Sequence, residues 1–240
     1  MSIKISASGD TAVIVEFGDE VNRELSNLVL SADATMESSN IPGVIETLPT
    51  FRSLLVQYDP LVTTSEQLIA KISPLMDTLA SHEYCARSWH IPVCYEEEYA
   101  ADITQVATAT GHTVEQVIQI HSDVLYHVYM LGFLPGLAYM GDLPEALHLP
   151  RLTNPRTRVP AGSVSIATSL TTIYPYESPG GWHLIGTTPL NLFDIKQTPP
   201  ALFAPGDLIK FEPISSAELI NISQQISRGE YCLKPEGTPT

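Results

Sequence analysis

Positive charge is scarce in this chain of 240 residues: 12 Lys and Arg stand against 27 Asp and Glu, a net charge of −15. Nucleic acid and anionic membrane surfaces need basic counter-charge, so both are excluded as partners. An anionic small molecule could be held only where arginines or oriented backbone N–H groups gather locally. Cysteine is almost as rare. Cys85, Cys94 and Cys232 form no CxxC pair and are odd in number, which excludes a disulfide framework or a cysteine-rich zinc site and points to a reducing, cytoplasmic setting. The opening MSIKISASGD lacks a basic stretch followed by an apolar one, so no signal peptide is expected. The most apolar run, 124–140, is interrupted by Pro135 and two glycines and is too broken for a membrane span. No GxGxxG opens a helix and no Lys-Ser/Thr pair closes a phosphate loop. No histidine pair has HExxH or similar spacing, so no metal is assigned, and no serine sits in a GxSxG elbow.

What the chain does have is a core-forming composition, 44% hydrophobic and 16% charged, which argues for a folded protein. Residues 2–17 alternate around a Ser-Gly-Asp turn as a hairpin does, and Val21, Leu25, Leu28, Val29, Ala32 and Met36 recur at helical spacing. VIETL and SLLVQY read as strands. Thr64 starts a second helix, with Gln67 completing its capping box, and Pro74 should kink or restart that helix. The order ββαββα makes residues 1–82 a small α+β domain, with a boundary at Ser81-His82-Glu83. Residues 83–240 form a second domain. WHIPVCY is its first strand, Asp102 caps a short helix ending near Gly111, and Thr113 with Gln116 caps another that delivers His121 near its end. Beyond residue 124, RVPAGSVSIA, TTIYP, WHLIG, LNLFDI and DLIKFEPI are short β-branched runs between frequent prolines and glycines, the texture of a sandwich or barrel. The tail 234–240 reads as loose.

Three features could carry chemistry, and each has a plainer reading. Pro179-Gly180-Gly181-Trp182 could cradle a ligand, although Pro-Gly-Gly before a strand is most often a turn. Arg151, Arg156 and Arg158 gather in PRLTNPRTRVPAGS; rigid guanidinium forks suit a carboxylate or phosphate, and a solvated loop on an acidic surface is the alternative. His121 could exchange protons, or simply interact with the free carbonyls of its helix end. Glu96-Glu97-Glu98 reads as a solvated loop.

Taken in order, GDTAVIVEFGD, the PGVIETLPTFRSLLVQYDP run, IPVCYEEEYAADITQ and the segment onward to GFLPGLAYMGDLP, PRLTNPRTRVPAGSVSIA, TTIYPYESPGGWHLIGTTPLNLFD and PGDLIKFEPI resemble the KipI / allophanate hydrolase subunit 1 family over residues 9–214. That family includes B subunits of ATP-dependent 5-oxoprolinases. The resemblance implies an α+β N-terminal domain followed by a mainly-β cyclophilin-like barrel. It implies work within a hetero-oligomer, with a C-type (allophanate hydrolase subunit 2-like) partner and an A-type partner protein. The complex would use ATP to open 5-oxoproline to glutamate, and the isolated chain would be inactive. ATP is expected to be bound by the complex, with its binding by this chain left open. Two alternatives come with the same family: a KipI-like inhibitor of a sensor histidine kinase, and a urea-amidolyase-like carboxyl-transfer component.

By the same resemblance, His121, Arg151 and Arg156 are the expected catalytic residues, the arginines holding anionic groups and the histidine assisting proton transfer. Tyr126, Tyr139, Ser163, Thr171, Tyr174, Pro179, Gly180, Gly181 and Trp182 are the expected substrate-binding residues. The chain departs from the family pattern at a few places. Ser165, Thr168 and Thr172 stand where glycines are usual and Leu170 where an amide is. Leu137, Asp142 and His183 replace phenylalanine, glycine and glutamine. A side chain in place of glycine blocks close backbone approach and disfavours positive φ, and Leu170 removes an amide's donor and acceptor, so either a different ligand or a reduced chemistry is expected.

Overall fold

The computed structural model describes residues 3–79 and 86–236; the boundary expected at Ser81-His82-Glu83 lies outside them. The chain divides into two compact units, residues 1–85 and 86–240.

In the first unit, alternation dictates a hairpin of β1 (Lys4–Ala7) and β2 (Ala12–Glu16), followed by α1 (Arg23–Ser39), β3 (Val44–Pro49), β4 (Ser53–Tyr58) and α2 (Ser65–Asp77). The four strands pair antiparallel in the order β1-β2-β4-β3. Val13, Val15, Leu54 and Val56 alternate onto one face and are buried together with Val29 and Met36 of α1 and Leu68 and Ile72 of α2. The α1 amides are capped by Asn22, and α2 has the expected Thr64–Gln67 capping box. Pro74 does not restart α2, which runs on to Asp77. A proline so near the end removes a single ladder bond that the last turn can forgo.

The second unit holds β5 (Ser88–Cys94), α3 (Ile103–Thr110), α4 (Val114–Ser122), β6 (Leu125–Leu131), β7 (Ala138–Gly141), β8 (Arg156–Val159), β9 (Ser163–Ala167), β10 (Leu170–Ile173), β11 (Ser178–Gly180), β12 (His183–Thr187), β13 (Leu208–Ile214) and α5 (Ser216–Ser227). Seven strands close a barrel in the order β10-β7-β6-β13-β5-β12-β9, while β8 and β11 make a separate two-stranded ribbon. All these pairs are antiparallel except β5 with β13. Closure resolves the sandwich-or-barrel alternative and leaves no open edge among the seven strands.

Two readings change here. LNLFDI contributes no named strand, only a bridge from Phe193 to Ala201. The helix α5 was not expected, although Ser215 and Glu218 form a capping box ahead of it that the sequence displays.

Strand alternation sorts the barrel's residues. Val164, Ile166 and Ile173 join Val93, Val128, Met140 and Phe211 in the main core, against which α3 and α4 also pack. The intervening residues point outward. Thr172 and Leu184 both lie opposite Ser165 in register, so the three share the outer face. On that side Leu137, Val159, Tyr174 and Leu184 form a second, smaller apolar cluster.

Candidate binding cleft

A cleft of about 290 Å³ opens over this outer cluster. Buried Leu137 and Thr172 line it from below, and Tyr139, Tyr174 and Trp182 supply aromatic walls. Exposed Phe133, Pro155 and Pro179 stand at its mouth beside Gly180 and Gly181. Among the described residues Arg151 is the one charged residue lining it. Its Cζ lies 5.7 Å from the Trp182 ring centroid, within cation–π range, and the Tyr139 ring is 6.0 Å from that of Trp182 at a steep angle.

The glycines of PGGW prove to be both turn and wall. Gly180 ends β11, where a Cβ would come within 2.3 Å of the Tyr174 hydroxyl oxygen. Only a residue without a side chain lets the phenol fit beneath the ribbon. Burial raises the pKa of both cleft tyrosines. For Tyr174, neighbouring Tyr139 adds to the rise and the charges of Arg151 and Arg156 oppose it; for Tyr139, Arg151 opposes it. Both phenols therefore remain protonated donors at neutral pH. A cleft with two phenolic donors and one guanidinium can grip a carboxylate or a polarised carbonyl oxygen, and it holds no general base of its own.

The three clustered arginines have three separate fates. Arg151 faces the cleft. Arg156 is drawn to Asp102, with Nη2 bonded to the Asp102 carboxylate. Its other terminal nitrogen, Nη1, is buried without a hydrogen-bond partner among the described residues. Arg158 makes an exposed two-pronged pair with Glu177, at 3.0 and 2.8 Å.

His121 is not at the cleft. It is fully buried against the barrel interior, with its ring stacked on Phe211 at 4.6 Å between centroids. Tyr95 meets Nδ1 at 2.8 Å and the Thr171 hydroxyl meets Nε2 at 3.0 Å. The Thr171 hydroxyl donates its single proton to the Ser165 carbonyl, so Nε2 must carry the imidazole proton and Nδ1 must accept from Tyr95. Burial drives the pKa of His121 down to about 3, and the ring is neutral with both nitrogens occupied. The ring ties the end of α4 to β10, and His121, expected to assist proton transfer, does not line the cleft. Tyr126, also fully buried, donates to the His121 carbonyl at 2.9 Å. Ser163 is buried at the start of β9 and does not line the cleft.

Of the expected residues, Arg151, Tyr139, Tyr174, Pro179, Gly180, Gly181 and Trp182 converge, whereas His121, Arg156, Tyr126, Ser163 and Thr171 do not line the cleft. Phe133 and Pro155 line it without having been expected to, and Leu137 and Thr172 line it as well. Leu137 and Thr172 were visible beforehand only as departures from a pattern. Two further departures, Thr168 and Asp142, take positive φ of 54° and 70°, so each occupies the backbone conformation that glycine adopts most cheaply.

The family model described as carboxyltransferase domain, subdomain C and D, matches residues 3–203. The chain belongs to that family. Within it, the chain is similar to the 5-oxoprolinase B subunit of Bacillus subtilis, 37% identical over 229 residues that cover 90% of this chain and 94% of that protein. The 5-oxoprolinase B subunit of Haemophilus influenzae is 46% identical over 164 residues, 68% of this chain and 74% of its own length. Among solved structures, TTHA0988 superposes with a TM-score of 0.77 at 33% identity over 86% of this chain; the present chain spans 40% of that protein. No helix among the described residues is long and apolar enough to cross a membrane.

Proposed function

We propose that this carboxyltransferase-family chain is the B subunit of an ATP-dependent 5-oxoprolinase-type complex that opens 5-oxoproline to glutamate. The cleft on its barrel receives the substrate's carboxylate. One observation carries the assignment to the cleft: a small aromatic hollow whose single charged lining group is Arg151. At about 290 Å³ it lies at the small end of ligand sites, which run from roughly 300 Å³ upward. A compact cyclic monoanion fits that description, with Arg151 and Trp182 on the carboxylate and the Tyr139 and Tyr174 hydroxyls available to a polarised carbonyl.

A nucleotide fits it poorly. Triphosphate recognition draws on several cations and a bound metal, so ATP is assigned to the partner proteins. The absence of a base among the cleft residues accounts for the expected inactivity of the isolated chain: the C-type partner, together with the A-type protein, completes the site. Co-expression with the cognate A-type and C-type proteins tests the reading through ATP hydrolysis that depends on 5-oxoproline. Turnover by the three-protein complex and none by this chain alone is expected. A correctly assembled complex without turnover would overturn it and leave the histidine-kinase inhibitor as the reading to pursue.

A further inference from the structure

Asp102 stands directly before α3, where a capping residue belongs, yet its side chain makes no cap bond. Aspartate at a helix start ordinarily turns its carboxylate onto the free N–H groups of the first turn. Here both oxygens are taken elsewhere: Oδ2 accepts the Leu184 N–H at 2.7 Å and Oδ1 accepts Nη2 of Arg156. The Asp102 N–H itself donates to the Leu184 carbonyl at 2.8 Å. Asp102 therefore serves β12 at Leu184 as a neighbouring strand would, with its carboxylate 3% exposed as a residue. A carboxylate so far from water persists as an anion only where donors match it, and Arg156 brings the compensating charge.

The arm that reaches Asp102 starts from the ribbon. Arg156 lies opposite Gly180 across the β8–β11 pair, and that ribbon carries Pro179 and Gly180 to the cleft, with Gly181 and Trp182 following. Among the described residues the ribbon has no partner strand in the barrel. Beside the Arg156 arm, the Leu152 N–H holds it at the Gly181 carbonyl, 2.7 Å. The charge of Arg156 also reaches Tyr174, the phenol lodged beneath Gly180.

Resting on the reading of the cleft given above, we propose that Asp102 is a positioning residue: through Arg156 it sets the β8–β11 ribbon, and so Gly180 and Trp182, at the distance from Arg151 that a small carboxylate requires. Neither side of the Asp102 carboxylate can be exchanged for an amide without conflict. Asparagine would have to present its NH₂ either to the Leu184 N–H or to the Arg156 guanidinium, and both are donors.

The chain contains two tryptophans, Trp89 and Trp182, so 5-fluorotryptophan labelling yields two fluorine signals, assigned with Trp182→Phe. In Asp102→Asn the Trp182 signal should shift or broaden while that of Trp89 stays in place. In the three-protein complex the same variant should raise KM for 5-oxoproline about tenfold, the usual consequence of losing one charge-assisted contact, with kcat less affected. Arg156→Gln should reproduce both effects, and the double variant should be no worse than either single one. Should Asp102→Asn not fold, Arg156→Gln carries the decision, because that side chain is 30% exposed. An unmoved Trp182 signal and unchanged KM alongside a lower melting temperature would reduce the pair to a structural tie and overturn the proposal. If the unsubstituted complex shows no turnover, the functional reading fails, and the Trp182 signal alone decides the role of Asp102.

Discussion

The two faces of β10 differ more than their sequence does. Thr171 and Thr172 are adjacent and chemically identical. Thr171 turns inward, where its hydroxyl joins Tyr95 and His121 in a sealed chain of hydrogen bonds. Thr172 turns outward to the cleft, where its hydroxyl donates to the Ala138 carbonyl at 2.7 Å. The inner face contains the residue with the strongest claim to acid–base chemistry, yet burial and two committed nitrogens leave it structural. The outer face contains no base, but it joins a solvent-accessible guanidinium to aromatic walls. Chemical potential in a residue type becomes function only where a ligand can reach it.

The sharpest way to break this comparison is His121→Ala. If the inner face is structural, unfolding in urea should show a loss of roughly 3 kcal/mol or more, from the cavity and from orphaning Tyr95 and Thr171. A stable variant that lost only activity would reverse the assignment of the two faces. Next in size is a pH effect. The unfolded chain protonates His121 near its ordinary value of 6.5, whereas the native ring stays neutral down to about 3. The unfolded state therefore binds the extra proton between those values, and stability falls as pH drops through them, by up to about 1.4 kcal/mol per pH unit. Against a His121→Phe control, the stability advantage of the native sequence should narrow as pH falls from 6.5 to 4.5; a constant gap would refute the neutral buried ring. On the outer face, Arg151→Ala should leave the urea midpoint nearly unchanged and raise KM for 5-oxoproline by about tenfold or more in the complex. The smallest effect is expected at the hairpin joining the two strands that display both faces. Thr168→Gly should relieve a left-handed β-branched residue and stabilise the fold by about 0.5 kcal/mol, once the greater chain entropy of glycine is deducted. A destabilisation there would mean that the Thr168 hydroxyl, bonded to the Ala167 carbonyl, outweighs the strain.

Much of the fold was legible because local rules and tertiary demands agree. The capping boxes at Thr64 and Thr113 and the left-handed cap at Gly111 appear where the residue types require them. The short β-branched run RVPAGSVSIA, set between turn residues, marked a strand, and Ser163–Ala167 forms one with all five residues buried. The helix α5 carried a readable cap and escaped notice because the surrounding texture is β-rich. The candidate site was half legible. PGGW read locally as a turn and only the family resemblance placed it among binding residues; in the structure it lines the cleft. Nothing local could separate Arg151 from Arg156 and Arg158, since their partners Trp182, Asp102 and Glu177 lie 31, 54 and 19 residues away. Asp102 is the clearest case: at a helix start its type predicts a cap, and a strand edge and an arginine distant in sequence took its carboxylate instead.

By itself the sequence determined the element order of the first unit, the net acidic charge, and the membership of a family whose motifs run in order along the chain. These follow from periodicity, charge and short-range turn chemistry, each of which acts over a few residues. Only the tertiary structure decided which face each β10 hydroxyl serves, that His121 is a neutral strut inside the barrel, and that one arginine of three faces the cleft. Those outcomes depend on barrel closure, which sets the strand register and so brings distant residues to one face while removing their neighbours from water.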